Sequence, residues 1–161
     1  MTGFGCIGSV VPEPVDTVEA VIDDPWYPAI DPAQLRREHR LGDVAKVTPE
    51  RLRAAILEAL ISVDNQIGAW AMQQTAAGHA SLADVPARTF GGESRLVISF
   101  RRAVGALTKL ELIERHRDLD TTATGDRDAS ALDPSIGELR RDAVHAIRDI
   151  LGATRTTVEL I

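Results

Sequence analysis

The sequence is poor in cysteine, in aromatic residues and in long apolar runs. Its one cysteine, Cys6, has no second cysteine to pair with, which excludes an intramolecular disulfide and indicates a reducing compartment. Only six residues are aromatic, so Ala, Leu, Ile and Val must fill the core, which favours helix packed on helix. No apolar run approaches the ~18 residues of a membrane span, and the start lacks the basic stretch of a secretory signal. We therefore expect a soluble protein, made in the cytoplasm, without a membrane partner.

The first 31 residues also lack any Lys or Arg. They hold six acidic residues in a stretch rich in Gly, Pro and Val that has no helical period: Glu13, Asp16, Glu19, Asp23, Asp24 and Asp31. The whole chain has 24 acidic and 18 basic residues, so its net charge of −6 lies entirely on this segment. We interpret residues 1–31 as an acidic extended arm that reaches onto other subunits. A neutral body with such an arm is not typical of an enzyme with a substrate pocket.

Two residue pairs predict the starts of the first two helices. In Asp31-Pro32 and in Thr48-Pro49, the first residue can cap a helix and the proline suits its first position. The first pair begins a short helix towards Leu41, ended by Gly42. The second begins the longest helix, which ends near Ala77. That helix carries one apolar stripe at steps of three and four residues, the spacing of a buried helix face: Leu52, Ile56, Leu60, Val63, Ile67 and Trp70.

Two further helices complete the predicted body. One runs from about Glu93 to Asp118, and the other from Asp133-Pro134 to about Leu151. Between them, residues 120–130 have almost no apolar content and are predicted to form a mobile loop. We therefore predict an all-α fold, with a three-helix core and a short leading helix across residues 32–153. Residues 154–161 are expected to form a short extended tail, because their Thr and Val side chains favour strands.

The residues that could carry chemistry do not form a convincing site. Residues 3–8 match the pattern G-x-G-x-x-G, but the strand and the helix that a dinucleotide site requires are missing around it. A calcium-loop pattern from Asp120 has Ala131 where an acid is required. Four histidines lack metal-ligand spacing to one another and to cysteine: His39, His79, His116 and His145. We expect no catalytic residue, no metal and no cofactor.

One line of positive charge is kept as a candidate interaction surface. Its four residues are seven positions apart, so they follow one side of the second long helix: Arg95, Arg102, Lys109 and His116. The simplest interpretation is a solvated face. The alternatives are a seam that pairs with acids of a neighbouring subunit, or a stripe that binds DNA. The neutral body and the acidic arm disfavour DNA.

The order and spacing of several short motifs resemble a known family. The motifs are residues 26–32 (WYPAIDP), 48–52 (TPERL), 82–87 (LADVPA), 114–118 (ERHRD) and 138–142 (ELRRD). Together they resemble the head completion proteins of temperate contractile-tailed phages, which are head–tail connectors, and the likeness covers about residues 26–161. The residues before position 26 match nothing in that pattern, so the interpretation of the arm depends on its charge alone.

The resemblance implies a helical adaptor that forms a ring on the portal vertex after genome packaging. Such a ring stabilises the DNA-filled head and links it to the neck and tail. The implied partners are the portal protein, the neck and tail completion proteins, and further copies of the chain in a ring that matches the portal's twelvefold symmetry. DNA would only pass through the channel. The implied location is the neck of the virion, after assembly in the host cytoplasm.

Two segments are candidate sites under this hypothesis. The tail is expected to dock on the portal by adding a strand to an exposed sheet edge, through Arg155, Thr156, Thr157, Val158, Glu159, Leu160 and Ile161. A cluster beside prolines is expected to anchor the end of the arm, on the next subunit or as a cap over its own core: Trp26, Tyr27, Pro28 and Ile30. The line from Arg95 to His116 would be the seam between subunits.

Two alternative functions are carried with this hypothesis. The first is a small helical DNA-binding protein, such as a packaging or regulatory subunit. Arg141, His145 and Arg148 offer part of a recognition face, but Asp142 and Asp149 are interleaved with them. The second is an assembly subunit of another particle, such as a tail-like bacteriocin or a gene transfer agent. A salt-dependent shift of labelled duplex DNA would favour the first alternative, and association with capsids rather than with tails alone would separate the second.

Overall fold

Four α-helices make up most of the computed structural model, which describes residues 20–41, 47–119 and 123–153. They are α1 (Pro32–His39), α2 (Pro49–Ala76), α3 (Arg95–Leu119) and α4 (Ala123–Leu151). Between α2 and α3 lie a 3₁₀ turn (Leu82–Asp84) and a small antiparallel hairpin of β1 (Thr89–Phe90) and β2 (Glu93–Ser94). The predicted all-α fold, with a short leading helix before three long ones, is confirmed.

Helices α1 and α2 begin where the sequence predicts. The Asp31 side chain accepts a hydrogen bond of 2.9 Å from the backbone N–H of Ala33, and a proline occupies the first turn of each helix. The Thr48 hydroxyl likewise accepts one of 3.3 Å from the N–H of Arg51. Helix α1 ends earlier than predicted, because Arg40 adopts the left-handed conformation with φ 49°. Its N–H closes the helix end on a carbonyl of the last turn.

The start of α4 corrects the predicted loop over residues 120–130. The helix begins at Ala123 and passes through Asp133-Pro134, the pair that the sequence predicts as its first turn. A proline inside a helix removes one backbone hydrogen bond and strains the turn before it, but it does not remove the bonds on either side. The low apolar content of residues 120–130 argues against a buried helix face there. The backbone hydrogen bonds of a helix do not require such a face, so a helix can still form. The mobile-loop prediction is therefore wrong from Ala123 onwards.

Helix α3 lies between α2 and α4 and supplies the centre of the core. Its Phe100 is 1% exposed, and it packs among apolar residues of both neighbouring helices. The predicted stripe of α2 is confirmed, with four residues fully buried and Leu60 and Trp70 partly buried against the same cluster. Helix α4 contributes a matching set: Ala143, Ala146, Ile147 and Ile150.

Helix α1 approaches α3 closely at Gly105. A Cβ atom on Gly105 would lie 2.0 Å from Nε2 of His39, so a side chain cannot be added there while the imidazole keeps its place. The half-buried ring loses hydration, and this desolvation lowers the pKa of His39 below its usual 6.5. Glu38 acts in the opposite direction and Lys109 in the same direction. The neutral imidazole is therefore the form that the fold prefers.

Protonation of His39 should destabilise the protein at mildly acidic pH. Since the pKa of His39 in the folded state lies below its unfolded value of 6.5, its contribution is fully present above pH 6.5 and is lost as the pH falls towards the folded pKa. Urea unfolding between about pH 7.5 and about pH 5.5 should show this loss. The variant His39→Gln should have a flatter profile. An equally steep profile in His39→Gln would assign the loss to other groups.

Candidate functional site

Residues 22–30, here called the arm-base loop, fold back on themselves just before α1. Ile22 and Ile30 exchange two backbone hydrogen bonds of 2.9 Å, and both side chains are buried. Inside the loop, one carboxylate oxygen of Asp24 accepts hydrogen bonds from the N–H groups of Trp26 at 2.8 Å and Tyr27 at 2.7 Å. These local bonds hold two consecutive aromatic residues against one side of the helical body.

The two aromatic residues pack on α2 and α3. The Tyr27 ring stacks on Phe100, with the ring centroids 4.9 Å apart and the planes 7° from parallel. The Tyr27 hydroxyl donates a hydrogen bond of 2.7 Å to Asp64 on α2. Trp26 packs edge-on against Trp70 of α2, with 6.1 Å between the centroids. The loop is thus joined to α2 and α3, two of the three long helices of the core.

The electrostatics of the loop support the same arrangement. Burial, followed by the hydrogen bond and the charge of Asp64, raises the pKa of Tyr27, so its hydroxyl stays protonated and can donate. The backbone N–H of Leu82 also donates to the carbonyl of Trp26 at 2.9 Å. The sequence left two alternatives for these aromatic residues, an anchor on the next subunit and a cap over the subunit's own core. In the structure they pack on α2 and α3 of their own subunit, which corresponds to the cap. Their role in holding the arm within an assembled particle stays a prediction.

An open groove of about 550 Å³ lies between the arm-base loop and the β1–β2 hairpin. Its lining includes the apolar residues Trp26, Tyr27 and Val97, and also Arg101 and Glu93, which form an ion pair with each other. The groove could not be predicted from the sequence, because three separate segments of the chain form its walls.

The structure brings part of the predicted seam against α4 of the same subunit. The guanidinium of Arg95 donates to the backbone carbonyl of Asp149 at 2.7 Å, and that of Arg102 pairs with the carboxylate of Asp142 at 2.8 Å. Lys109 lies near His39, and the side chain of His116 lies outside the described residues. Contact of this line with a neighbouring subunit stays a prediction.

The predicted docking tail, residues 154–161, lies outside the described residues, as does the glycine pattern at residues 3–8. The structure does describe the end of α4, which precedes residues 154–161 in the chain. Gly152, with φ +69°, ends α4, and the N–H of Ala153 donates to the carbonyl of Arg148 at 2.9 Å. This bond closes the last turn of the helix before the tail begins.

The described part of the chain holds neither a metal-binding cluster nor a membrane-spanning helix. Residues 20–41, 47–119 and 123–153 contain no group of three His, Cys, Asp or Glu side chains placed to hold a metal ion. Over the same ranges, no helix combines the length and the apolar character needed to cross a membrane.

Comparison with known proteins identifies the class to which this helical body belongs. The family model of the phage head completion protein (GPL) matches residues 21–161. The chain belongs to this family, as the motif resemblance predicted, and the family comprises structural proteins of the virion that act in head completion. The chain is 37% identical over 161 residues to the head completion/stabilization protein of Escherichia phage P2. The match covers 100% of this chain and 93% of that protein. No solved structure gives a significant match.

Proposed function

We propose that the protein completes the phage head by forming a ring on the portal vertex after genome packaging. The ring retains the packaged DNA and presents a platform to the neck and tail proteins. The observation that carries this proposal is the likeness to the head completion/stabilization protein of phage P2, which extends over the whole chain, terminal segments included. A head completion protein must contact its neighbours, and the packed helices with a segment at each end suit that task.

The charge of the chain supports a role beside DNA without tight binding to it. Proteins that grip DNA neutralise several phosphates with clustered Lys and Arg. This chain has a net charge of −6, and two of the bases on α3, Arg95 and Arg102, already contact α4. The wall of a channel through which DNA slides should attract the DNA phosphates only weakly, and a net negative charge suits that requirement. The DNA-binding alternative therefore has less support than the connector.

Docking on the portal is assigned to the tail, residues 154–161. The end of α4 is closed at Gly152, before the assigned segment begins, so the helix does not need residues 154–161 to complete its last turn. The tail sequence TRTTVELI contains Thr and Val, which favour extended backbone. An extended segment can add a strand to an exposed sheet edge, where main-chain hydrogen bonds supply the affinity.

Electron microscopy of the protein mixed with its cognate portal tests the proposed function. We expect an additional ring of density on one end of the portal, with the symmetry of the portal. Heads that lack the protein should lose DNA, and adding the purified protein should retain it. Portal particles that stay unchanged at saturating protein would contradict the connector role, and head completion would then require another mechanism.

A further inference from the structure

Helix α2 carries an exposed apolar line in addition to its buried stripe. Leu57, Ile61 and Met72 are 41%, 56% and 70% exposed. At 3.6 residues per turn, Leu57 and Met72 each lie within about 40° of Ile61 around the helix axis. Single exposed apolar residues are ordinary, but several along one side of a helix indicate a contact surface. We call this line, with the adjoining Glu58, the α2 outer face.

The α2 outer face is also acidic. After Arg53, α2 contains Glu58 and Asp64 but no Lys or Arg. Both acids are exposed, and they lie on opposite sides of the apolar line, each about 60° from Ile61. Asp64 already accepts the hydrogen bond from Tyr27, so Glu58 is the acid presented to a partner. A complementary surface would be apolar along its centre and basic at its edge.

The outer side of α4 has this complementary character. Val144 and Leu151 are 48% and 39% exposed and lie two turns apart on the same side. Three bases lie within about 60° of Val144 around the helix axis: Arg140, Arg141 and Arg148. No acidic residue among residues 136–151 lies in that sector. Arg140 pairs with Glu114 of α3, whereas Arg141 is exposed beside Val144. We call Arg141, Val144 and Leu151 the α4 outer face.

The two outer faces belong to different helices and lie outside the buried stripes by which α2 and α4 pack; both helices contact α3 more extensively than they contact each other. Like charges would oppose pairing of either face with itself, so the faces suit a head-to-tail contact between identical subunits. Such heterologous contacts generate a ring when the rotation between neighbours closes.

We propose that the α2 outer face of one subunit binds the α4 outer face of the next subunit in the ring. The occupant of each face is therefore a second copy of this chain, and the inference rests on the ring of the proposed function. Each face presents only a few apolar side chains, which is small for a stable interface. The contact should therefore be weak between free subunits and become effective when the portal holds neighbours side by side.

A charge swap tests this pairing. Glu58→Arg alone and Arg141→Glu alone each place like charges across every contact, so each should lower the number of subunits bound per portal by about tenfold. The double variant Glu58→Arg/Arg141→Glu restores opposite charges and should restore the ring. An equimolar mixture of the two single variants should also restore it, because alternating subunits then meet with opposite charges.

Controls separate this inference from the proposed function. The variant Arg37→Glu changes an exposed base of α1 and should form the ring as the unaltered protein does, and all variants should keep their thermal unfolding midpoints. If the single variants still form rings, the face pairing is wrong while the connector role stands. If the unaltered protein forms no ring, both proposals fail. If Arg141→Glu loses only binding of labelled duplex DNA at low salt, the α4 outer face serves DNA and the pairing is overturned.

A cross-link gives an independent measurement on assembled particles. In a Cys6→Ser background, Ile61→Cys on one population and Val144→Cys on another should form mixed disulfide dimers when both are bound to the portal and an added mild oxidant accepts the two electrons. The pair Ile61→Cys with Arg37→Cys should give none, because α1 is not part of the proposed contact. Absence of mixed dimers with Val144→Cys on portal-bound rings would contradict the pairing, and their presence with Arg37→Cys would place the interface elsewhere.

Discussion

Replacing Tyr27 with alanine should lower the free energy of unfolding by about 2–3 kcal/mol. The substitution removes the ring that stacks on Phe100 at 4.9 Å and the hydroxyl that donates to Asp64. The loss is smaller than the ~3–5 kcal/mol of a fully buried aromatic residue, because Tyr27 is only half-buried. Urea unfolding followed by far-ultraviolet circular dichroism measures the difference.

The variant Tyr27→Phe is the matched control for this prediction. It keeps the stacked ring and removes only the hydroxyl, and the exposed carboxylate of Asp64 can take a hydrogen bond from water instead. We therefore expect a loss of about 1 kcal/mol or less. If Tyr27→Ala proves as stable as the unaltered protein, the arm-base loop does not dock on its own subunit in solution. If the two variants lose equally, the hydroxyl rather than the stacked ring holds the loop.

The parts of the fold that sequence could predict are those with local causes. Thr48 and Pro49 fix the start of α2 because a cap and a first-turn proline act within a few residues of themselves. The buried stripe of α2 follows from its spacing alone. The start of α4 at Ala123 could not be predicted in this way, because residues 120–130 lack an apolar stripe and the Asp133-Pro134 pair imitates a helix start.

The candidate sites depend on contacts between distant parts of the chain. Trp26 and Tyr27 stand out in the sequence as aromatic residues beside prolines, but nothing near them indicates that Phe100 and Asp64 receive them. In the sequence, Gly105 is only a glycine within a predicted helix, which is a weak signal. The structure shows why a glycine is needed there, because the His39 imidazole of α1 occupies the space that a Cβ atom would fill. Such tertiary contacts override local propensity, so the sites follow from packing rather than from motifs.

The α2 outer face shows the same limit in another form. Leu57 and Ile61 alternate with buried residues along a helix that is apolar on most sides, so periodicity alone does not separate the exposed line from the core stripe. Burial against α3 makes that separation. Once the exposed line is distinguished from the core stripe, the absence of Lys and Arg from α2 after Arg53 can be interpreted. It then describes the charge of an exposed surface rather than the composition of a segment.

Deleting residues 154–161 should abolish binding to the portal and leave the thermal unfolding midpoint unchanged. The deletion removes the whole segment assigned to portal docking. It spares Gly152 and the hydrogen bond from the N–H of Ala153 to Arg148, so the end of α4 stays closed and the core keeps its packing. Cosedimentation with the cognate portal measures binding, and circular dichroism measures the midpoint.

Single substitutions distinguish strand addition from contact of side chains alone. Proline at Val158 removes a main-chain donor from the middle of the tail, so Val158→Pro should lose most of the binding, whereas Val158→Thr keeps both the donor and the branched side chain and should retain it. Equal binding by these two variants would show that side chains carry the affinity without a shared strand. Undiminished binding by the truncated protein would move the docking surface to the helical body, where the groove beside the arm-base loop is the next segment to alter.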